Sequence, residues 1–106
     1  VVLGEGTVVL AGAVLNADAA VGAHCIINTG AIIEHDCGVG AYTHISPRAT
    51  LCGTVSVGKE VHIGAGAVVR NNLRICSYTV VGAGGVVVRD IIEPGTYVGN
   101  PVRRLR

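Results

Sequence analysis

The sequence predicts an all-β repeat fold, because three features recur with the same six-residue period. A mostly small residue lies four places after each aliphatic residue. Glycine or asparagine often comes directly after the aliphatic residue, as in Val21-Gly22 and Ile27-Asn28. A fixed internal period indicates a repeat architecture and outweighs local propensities. The aliphatic positions, which have no exception, are Leu3, Val9, Leu15, Val21, Ile27, Ile33, Val39, Ile45, Leu51, Val57, Ile63, Val69, Ile75, Val81 and Val87.

Each six-residue unit has the pattern of a short strand followed by a bend. In residues 31–34 a small inward residue, an outward residue and an aliphatic inward residue alternate before the turn, which is the period of two that a strand requires. We expect glycine or asparagine directly after the aliphatic residue to make the bend, because positive φ costs these residues least. Since Phe, Trp and Met are absent, the predicted core is thin and consists of Val, Ile, Leu and Ala.

Composition limits the class of protein. The 106 residues form one domain, and a net charge of +1 without a basic block argues against nucleic acid as the main partner. No apolar run reaches the roughly 18 residues that a membrane span needs, and no signal peptide opens the chain. Because the chain has no methionine and is already in register at Leu3, we expect it to be a fragment of a longer protein.

The four cysteines are predicted to be structural. Cys25 and Cys37 occupy the small inward position, whereas Cys52 and Cys76 occupy the turn position. No CxxC pair exists, so a zinc ribbon or a redox motif is unsupported. We therefore expect reduced cysteines packed as small apolar side chains, and a cytoplasmic protein.

The six-residue pattern resembles that of the hexapeptide-repeat proteins. The resemblance implies a left-handed parallel β-helix, in which three repeats form one coil of a triangular prism. On this basis residues 1–92 form a β-helix of about five coils, and residues 93–106 form a C-terminal capping segment. The N-terminal nucleotide-sugar domain of related enzymes is absent from these 106 residues.

If three repeats form a coil, outward residues 18 positions apart stack into three columns. Columns one and three are apolar, so we expect a cyclic homo-oligomer in which the first face packs against a neighbour's third face. The resemblance implies a trimer, and column two is expected to face solvent. Column one is Val14, Ile32, Thr50, Val68 and Val86; column two is Ala20, Gly38, Ser56 and Arg74; column three is Val8, Ile26, His44, His62 and Val80.

His35 and Asp36 form the most informative pair of polar residues. They lie in the turn that leaves column one, where both side chains can point outward. A histidine is the natural general base near neutral pH, and a neighbouring carboxylate fixes its tautomer. Taken alone, such a pair is also compatible with an ordinary charged surface turn.

The wider sequence around this pair resembles one branch of the hexapeptide acyltransferases. These enzymes acetylate sialic acids and amino-deoxy nucleotide sugars, and they include the bacillosamine-pathway N-acetyltransferases. The resemblance lies in Asn28-Thr29-Gly30, Ile33-Glu34-His35-Asp36-Cys37 and Thr43-His44-Ile45-Ser46-Pro47.

The resemblance implies a role for particular positions. His35 is the proton acceptor, and Asp36 raises its basicity, although many relatives have glutamate there. His44 contacts acetyl-CoA, and the backbone at Ala65 and Ala83 holds the same co-substrate. Transfer of the acetyl group to an amine or hydroxyl of a sugar or nucleotide sugar is therefore the expected reaction.

The columns place the two histidines on different sides of one prism. His35 lies between columns one and two, and His44 belongs to column three, so the two converge only across neighbouring chains. We therefore expect a site shared by two subunits. His44 or the amide of Gly53, one coil beyond His35, is the expected oxyanion donor. A covalent acyl-enzyme is not expected, because the nearest thiol, Cys37, points inward.

Several polar residues have weaker signals. Asn28 is a candidate for substrate binding, but Asn16 occupies the same turn position two repeats earlier, so a simple turn asparagine is equally compatible. His62 either lines the co-substrate channel or lies at its rim, and His24 is a surface turn residue. The C-terminal arginines either meet CoA phosphates or are solvated; they are Arg103, Arg104 and Arg106.

Two other functions are compatible with such a repeat. One is a non-catalytic scaffold for trimerisation. The other is a metalloenzyme like the γ-class carbonic anhydrases, which needs three converging histidines. The four histidines, at positions 24, 35, 44 and 62, are separated by 11, 9 and 18 residues, which does not fit that pattern, so no metal is expected.

Overall fold

A computed structural model describes all 106 residues, Val1–Arg106, and contains seventeen short strands and no helix. Sheet one comprises β3 (Val14–Leu15), β6 (Ile32–Ile33), β9 (Thr50–Leu51), β12 (Val68–Val69) and β15 (Val86–Val87). Sheet two comprises β1 (Val2–Leu3), β4 (Ala20–Val21), β7 (Gly38–Val39), β10 (Ser56–Val57) and β13 (Arg74–Ile75). Sheet three comprises β2 (Val8–Val9), β5 (Ile26–Ile27), β8 (His44–Ile45), β11 (His62–Ile63), β14 (Val80–Val81), β16 (Thr96–Val98) and β17 (Arg103–Arg104).

Within β1 to β15, the strands pair in parallel with the strand 18 residues further along the chain. His44, for example, lies between Ile26 and His62 in sheet three, and Thr50 lies between Ile32 and Val68 in sheet one. Successive strands therefore belong to different sheets, and three of them complete one coil. The predicted left-handed β-helix of about five coils is confirmed, and each predicted column forms the outward side of one sheet.

The interior of the prism consists of one continuous apolar core, which contains the predicted Val, Ile, Leu and Ala side chains and the two inward cysteines. Burial is complete in the middle coils and incomplete in the first one. Leu3 and Val9 are 46% and 38% exposed, although they occupy the same inward position as fully buried Ile27 and Ile63. An inward side chain is covered by the coils on both of its sides, and the first coil has a stacked coil on one side only.

The corners of the prism use backbone conformations that differ from the prediction. Positive φ occurs three residues after the aliphatic position, at residues such as Asp18 and Asp36, and not at the glycine directly after it. That glycine is required by close packing: a Cβ at Gly22 would lie 2.9 Å from the Ala41 nitrogen, and one at Gly40 would lie 2.6 Å from the nitrogen of Lys59. The expectation that this residue provides the positive φ was therefore wrong.

The C-terminal residues extend sheet three beyond the fifth coil. β16 pairs in parallel with β14, and β17 turns back antiparallel onto β16. The Tyr97 hydroxyl donates to the carbonyl of Glu93, and the amide of Val102 donates to the carbonyl of Val86. These bonds attach the segment to the end of the prism. No helix in the structure has the length and apolar character that a membrane crossing requires.

Candidate active site

His35 lies in the turn after β6, at the corner between sheets one and two. Its Nδ1 is 3.0 Å from Oδ2 of Asp36, and the two side chains are 59% and 56% exposed. An ionised carboxylate only accepts hydrogen bonds, so the imidazole Nδ1–H donates and the proton is fixed at that nitrogen. The lone pair of Nε2 is therefore free to accept a proton.

Of the two carboxylates beside His35, Asp36 is the one that contacts its imidazole. The Glu34 side chain accepts a hydrogen bond of 2.6 Å from the Asn16 amide, which lies one coil earlier. Asp36 has a φ of 60°, a conformation that Asp and Asn adopt more readily than most other residues. The corner thus holds one carboxylate in the wall of the prism and turns the other towards the histidine.

The imidazole of His35 packs over Gly53, the corner residue of the next coil. A Cβ at Gly53 would lie 2.5 Å from Nε2 and 2.7 Å from Cε1 of the ring, so the absence of a side chain makes room for it. The amide N–H of Gly53 donates to no acceptor within the protein. The corner therefore carries a proton acceptor and a free N–H donor side by side.

The thiol next to this corner is poorly suited to act as a nucleophile. Cys37 is buried and its thiol donates to the carbonyl of Cys52 at 3.0 Å. Burial raises the pKa of Cys37 above its ordinary value, which outweighs the neighbouring backbone groups that lower it. The thiolate is the nucleophilic form, and burial disfavours it.

His44 lies on the outer side of sheet three and is half-buried. Its Nε2 is 3.1 Å from the Asn28 amide nitrogen, and its ring meets that of His62 edge to face at a centroid distance of 4.9 Å. Burial of the ring, and after it the charge that His62 can carry, lower the pKa of His44 below its ordinary value. His44 is therefore neutral at physiological pH.

Ala65 and Ala83 lie one coil apart at the corner between sheets three and one. Neither backbone N–H donates to an acceptor in the protein, although the Ala65 carbonyl accepts from Gly84. Asn28 lies at this corner two coils before Ala65. Two backbone donors and the Asn28–His44 pair thus lie along one edge of the prism.

The candidate residues therefore form two groups within one chain. His35, Asp36 and Gly53 lie at one corner, whereas the second group lies beyond the width of sheet one and consists of Asn28, His44, Ala65 and Ala83. The two concave regions of the surface contain neither group. One of about 380 Å³ lies beneath the C-terminal segment, and the other, of about 440 Å³, lies on sheet two.

The remaining polar candidates have local partners. His24 stacks on Tyr42 at a centroid distance of 5.2 Å, and the Arg104 guanidinium donates to the Glu93 carboxylate and to the carbonyl of Pro94. Arg103 is exposed in β17. No group of three or more His, Cys, Asp or Glu side chains lies together in a way that could hold a metal ion.

Solved structures similar to this chain include three proteins from different bacteria. The acetyltransferase domain of PglB from Neisseria gonorrhoeae is 41% identical, with a TM-score of 0.97 over 98% of this chain and 51% of that one. PerB from Caulobacter crescentus, solved with CoA and GDP-perosamine, is 47% identical, with a TM-score of 0.95 over 97% of this chain and 50% of that one. WeeI from Acinetobacter baumannii is 30% identical, with a TM-score of 0.92 over 98% of this chain and 51% of that one.

The chain has the hexapeptide-repeat β-helix fold of these acetyltransferases, to which it is 30% to 47% identical. It spans about half the length of each of the three proteins. No family model matches the chain, and no curated protein matches it.

Three further structures bear on the chemistry of these relatives. The PglB domain was also solved with acetyl coenzyme A, and the Caulobacter perosamine N-acetyltransferase was solved with one histidine replaced by asparagine or by alanine, each time with CoA and GDP-perosamine. The PglB domain thus binds the thioester co-substrate, and the Caulobacter enzyme binds CoA and a nucleotide sugar.

Sequence reasoning missed the contacts between residues 16 positions apart. Asn28 with His44 and Ser46 with His62 both have this separation. This separation follows from the 18-residue coil. An outward residue stacks on the residue 18 positions later, so the residue two places after it lies diagonal to that partner, at a separation of 16. A search for residues separated by 16 positions, as well as by 18, would have identified both pairs.

Proposed function

We propose that this β-helix is the catalytic domain of an acetyl-CoA-dependent acetyltransferase that modifies an amine or hydroxyl of a sugar or nucleotide sugar. Its similarity to the PglB acetyltransferase domain and to PerB supports the donor and the class of acceptor. The observation that carries the proposal is the His35–Asp36 pair, because it leaves an unpaired Nε2 beside a free backbone donor.

In the proposed reaction His35 is the general base. Nε2 takes the proton from the attacking amine or hydroxyl as its nitrogen or oxygen bonds to the acetyl carbon. The carbon–sulfur bond of the thioester breaks, and the proton passes on to the departing thiolate. Asp36 keeps the first imidazole proton on Nδ1 and stabilises the positive ring. Base catalysis of this kind contributes about 10²–10⁴-fold in rate.

The other candidate residues are donors in this proposal. The amide of Gly53 and the ring N–H of neutral His44 are the candidates for stabilising the negative charge on the thioester oxygen. The free N–H groups of Ala65 and Ala83 are suited to hold the co-substrate along its length, since backbone contacts do not depend on the side chain. This arrangement requires both groups of residues in one site.

We further propose that two chains of a cyclic homotrimer form each site. Exposed apolar side chains on sheet three, such as Ile26 and Val80, and on sheet one, such as Val14 and Val68, supply two faces that can cover each other. Packing one face against the other brings His35 of one chain towards His44 of the next. The thiols and the nucleotide-sugar substrates of the relatives favour a cytoplasmic location.

Replacing His35 by alanine tests the general base. With acetyl-CoA and a panel of amino sugars and nucleotide amino sugars, release of the CoA thiol is expected to fall about 10²–10⁴-fold. Circular dichroism and sedimentation should be unchanged, because the side chain is exposed. His24→Ala is the matched control, since it removes an exposed corner histidine from the neighbouring corner, and it is expected to retain activity.

Other results would contradict the proposal. If His35→Ala transfers acetyl groups at the rate of the unchanged protein, His35 is not the base. If the folded oligomer binds no acetyl-CoA by calorimetry, the chain is a scaffold for trimerisation and not an enzyme domain.

Mixing two inactive variants tests the shared site. His35→Ala and His44→Ala chains, unfolded together and refolded, form mixed oligomers in which some interfaces combine an intact His35 with an intact His44. Activity is expected to return in the mixture, while each variant refolded alone remains inactive. If monomers isolated by dilution retain full activity, or if the mixture stays inactive although mass spectrometry detects mixed oligomers, the site lies within one chain.

A further inference from the structure

The amide of Asn28 has a fixed orientation. Its Oδ1 accepts a hydrogen bond of 2.7 Å from the backbone N–H of Thr29, and its Nδ2 lies 3.1 Å from Nε2 of His44. A backbone N–H can only donate, so the atom beside Thr29 is the oxygen and the atom beside His44 is the NH2 group. The side chain therefore cannot offer an acceptor to His44 without losing its bond to Thr29.

This orientation determines which ring nitrogen of His44 carries the proton. An amide NH2 group only donates, so Nε2 of His44 must accept with its lone pair. A neutral imidazole has one N–H, and in His44 it is consequently at Nδ1. No group within the chain is hydrogen-bonded to that nitrogen, so Nδ1–H is free to donate outside the chain.

We infer that Asn28, anchored by the Thr29 amide, is a positioning residue that holds His44 as the neutral Nδ1–H tautomer. In this tautomer His44 donates a hydrogen bond through Nδ1 only. This differs from the sequence-based role of Asn28 in substrate binding. The use of the donor towards a thioester oxygen rests on the proposed function, but the tautomer itself does not.

The same pair one coil further on lacks the anchor. Ser46 Oγ lies 3.3 Å from Nε2 of His62, with the same separation of 16 residues. A serine hydroxyl rotates and can either donate or accept, so it fixes no tautomer. The residue after it is Pro47, which has no N–H and so cannot hold the hydroxyl as Thr29 holds Asn28. The anchored arrangement is thus specific to His44.

The surroundings of His44 agree with a neutral ring. The strands on either side of β8 present Ile26 and His62 on the same face, so His62 is the ionisable group beside it and contributes no negative charge. Burial and the charge of His62 lower the pKa of His44 in the same direction.

Nitrogen-15 NMR of the imidazole groups tests this inference on the whole chain. Near pH 8, which is above the ordinary histidine pKa of about 6.5, long-range proton–nitrogen correlations distinguish the two neutral tautomers. The His44 signals, assigned by their loss in His44→Gln, are expected to show Nδ1 protonated. Asn28→Asp replaces the donor by an acceptor of equal size, and it is expected to move the proton to Nε2.

A second variant removes the anchor instead of the donor. Thr29→Pro deletes the N–H that holds Asn28, and Pro47 occupies the equivalent turn position one coil later, so the backbone accepts proline there. His44 is expected to become a mixture of tautomers. Ser56→Asp, which adds the same charge on the exposed outer side of sheet two, is the control and should leave the His44 signals unchanged.

Two results would overturn the inference: a His44 protonated at Nε2 in the unchanged protein, or an Asn28→Asp variant with the same tautomer as the unchanged protein. Because the spectra need no substrate, a negative result here leaves the proposed acetyl transfer untouched. Conversely, an inactive protein can still show the expected tautomer.

Discussion

His35 and His44 lie on the same prism, yet their neighbours prepare them for opposite tasks. His35 is exposed and donates through Nδ1 to the carboxylate of Asp36, which leaves Nε2 as a free acceptor. His44 is half-buried and accepts at Nε2 from the Asn28 amide. The comparison teaches that a repeat fold supplies equivalent positions, and that the partner at each position decides whether a histidine can accept a proton or can only donate a hydrogen bond.

Among changes to the neighbours of the two histidines, the largest expected effect comes from filling the space beneath His35. In Gly53→Ala the new methyl group would overlap Nε2 and Cε1, and the exposed imidazole must swing away. A misplacement of about 1 Å can reduce activity about 10²-fold, so a loss of this size in kcat/KM for acetyl transfer is expected. The thermal midpoint should barely change, because the group that moves is an exposed side chain.

Gly38→Ala is the matched control for this variant. Gly38 faces outward in β7, and a Cβ there meets no atom within 4 Å. It should retain activity. Equal loss of activity in both variants, or unchanged activity in Gly53→Ala, would show that the position of the His35 ring over Gly53 is unimportant.

A smaller effect is expected from removing the negative charge beside His35. Asp36→Asn preserves the shape and tolerates the φ of 60°, but its amide no longer stabilises a protonated ring. General-base catalysis should weaken by about tenfold, since both groups are exposed and water competes for the bond. The pH profile of kcat/KM measures this loss, and an unchanged profile would contradict it.

Asp18→Asn is the control for Asp36→Asn, because Asp18 has the same corner position one coil earlier and a φ of 62°. No histidine precedes it, since residue 17 is alanine. Its activity is expected to equal that of the unchanged protein.

Periodicity predicted the short strands, and the resemblance to hexapeptide-repeat proteins implied the left-handed β-helix with three repeats per coil; together they placed the outward residues. Six-residue spacing defined the strands, and 18-residue spacing placed His44 beside His62 and His35 over Gly53. The reason for the turn glycines was not predictable in the same way, because the tight approach at Gly22 depends on the neighbouring coil and not on the local chain. Burial of Leu3 was overestimated for a similar reason. The repeat pattern does not indicate that the first coil has a stacked coil on one side only.

The partners of the two histidines were only partly accessible from sequence. Asp36 adjoins His35 in the chain, so their contact was foreseeable. Asn28 contacts His44 diagonally, from one coil to the next. Its orientation depends on a hydrogen bond to the Thr29 backbone that no residue pattern reveals. Local contacts along the chain are thus easier to predict than contacts that combine stacking with side-chain direction.

The smallest expected effect is a pH dependence of stability that arises from His44. Because its pKa in the folded chain is lower than in the unfolded chain, the unfolded state binds more protons between the two values, and stability rises with pH there. The contribution is present above the ordinary pKa of about 6.5 and is lost as pH falls through the lower folded value. Thermal midpoints of the unchanged protein should therefore decline on acidification through this window.

His44→Gln separates this effect from packing. Near pH 8 both side chains are neutral, so the difference in thermal midpoint there reports the change of shape alone. Below about pH 6.5 only the unchanged protein carries the cost of a buried ring that must take up a proton beside His62, so the difference between the two proteins should shift in favour of the variant as pH falls. If the thermal midpoints of both proteins decline in parallel, the neighbours of His44 do not favour its neutral form. His35 and His44 would then differ only in the geometry of their hydrogen bonds.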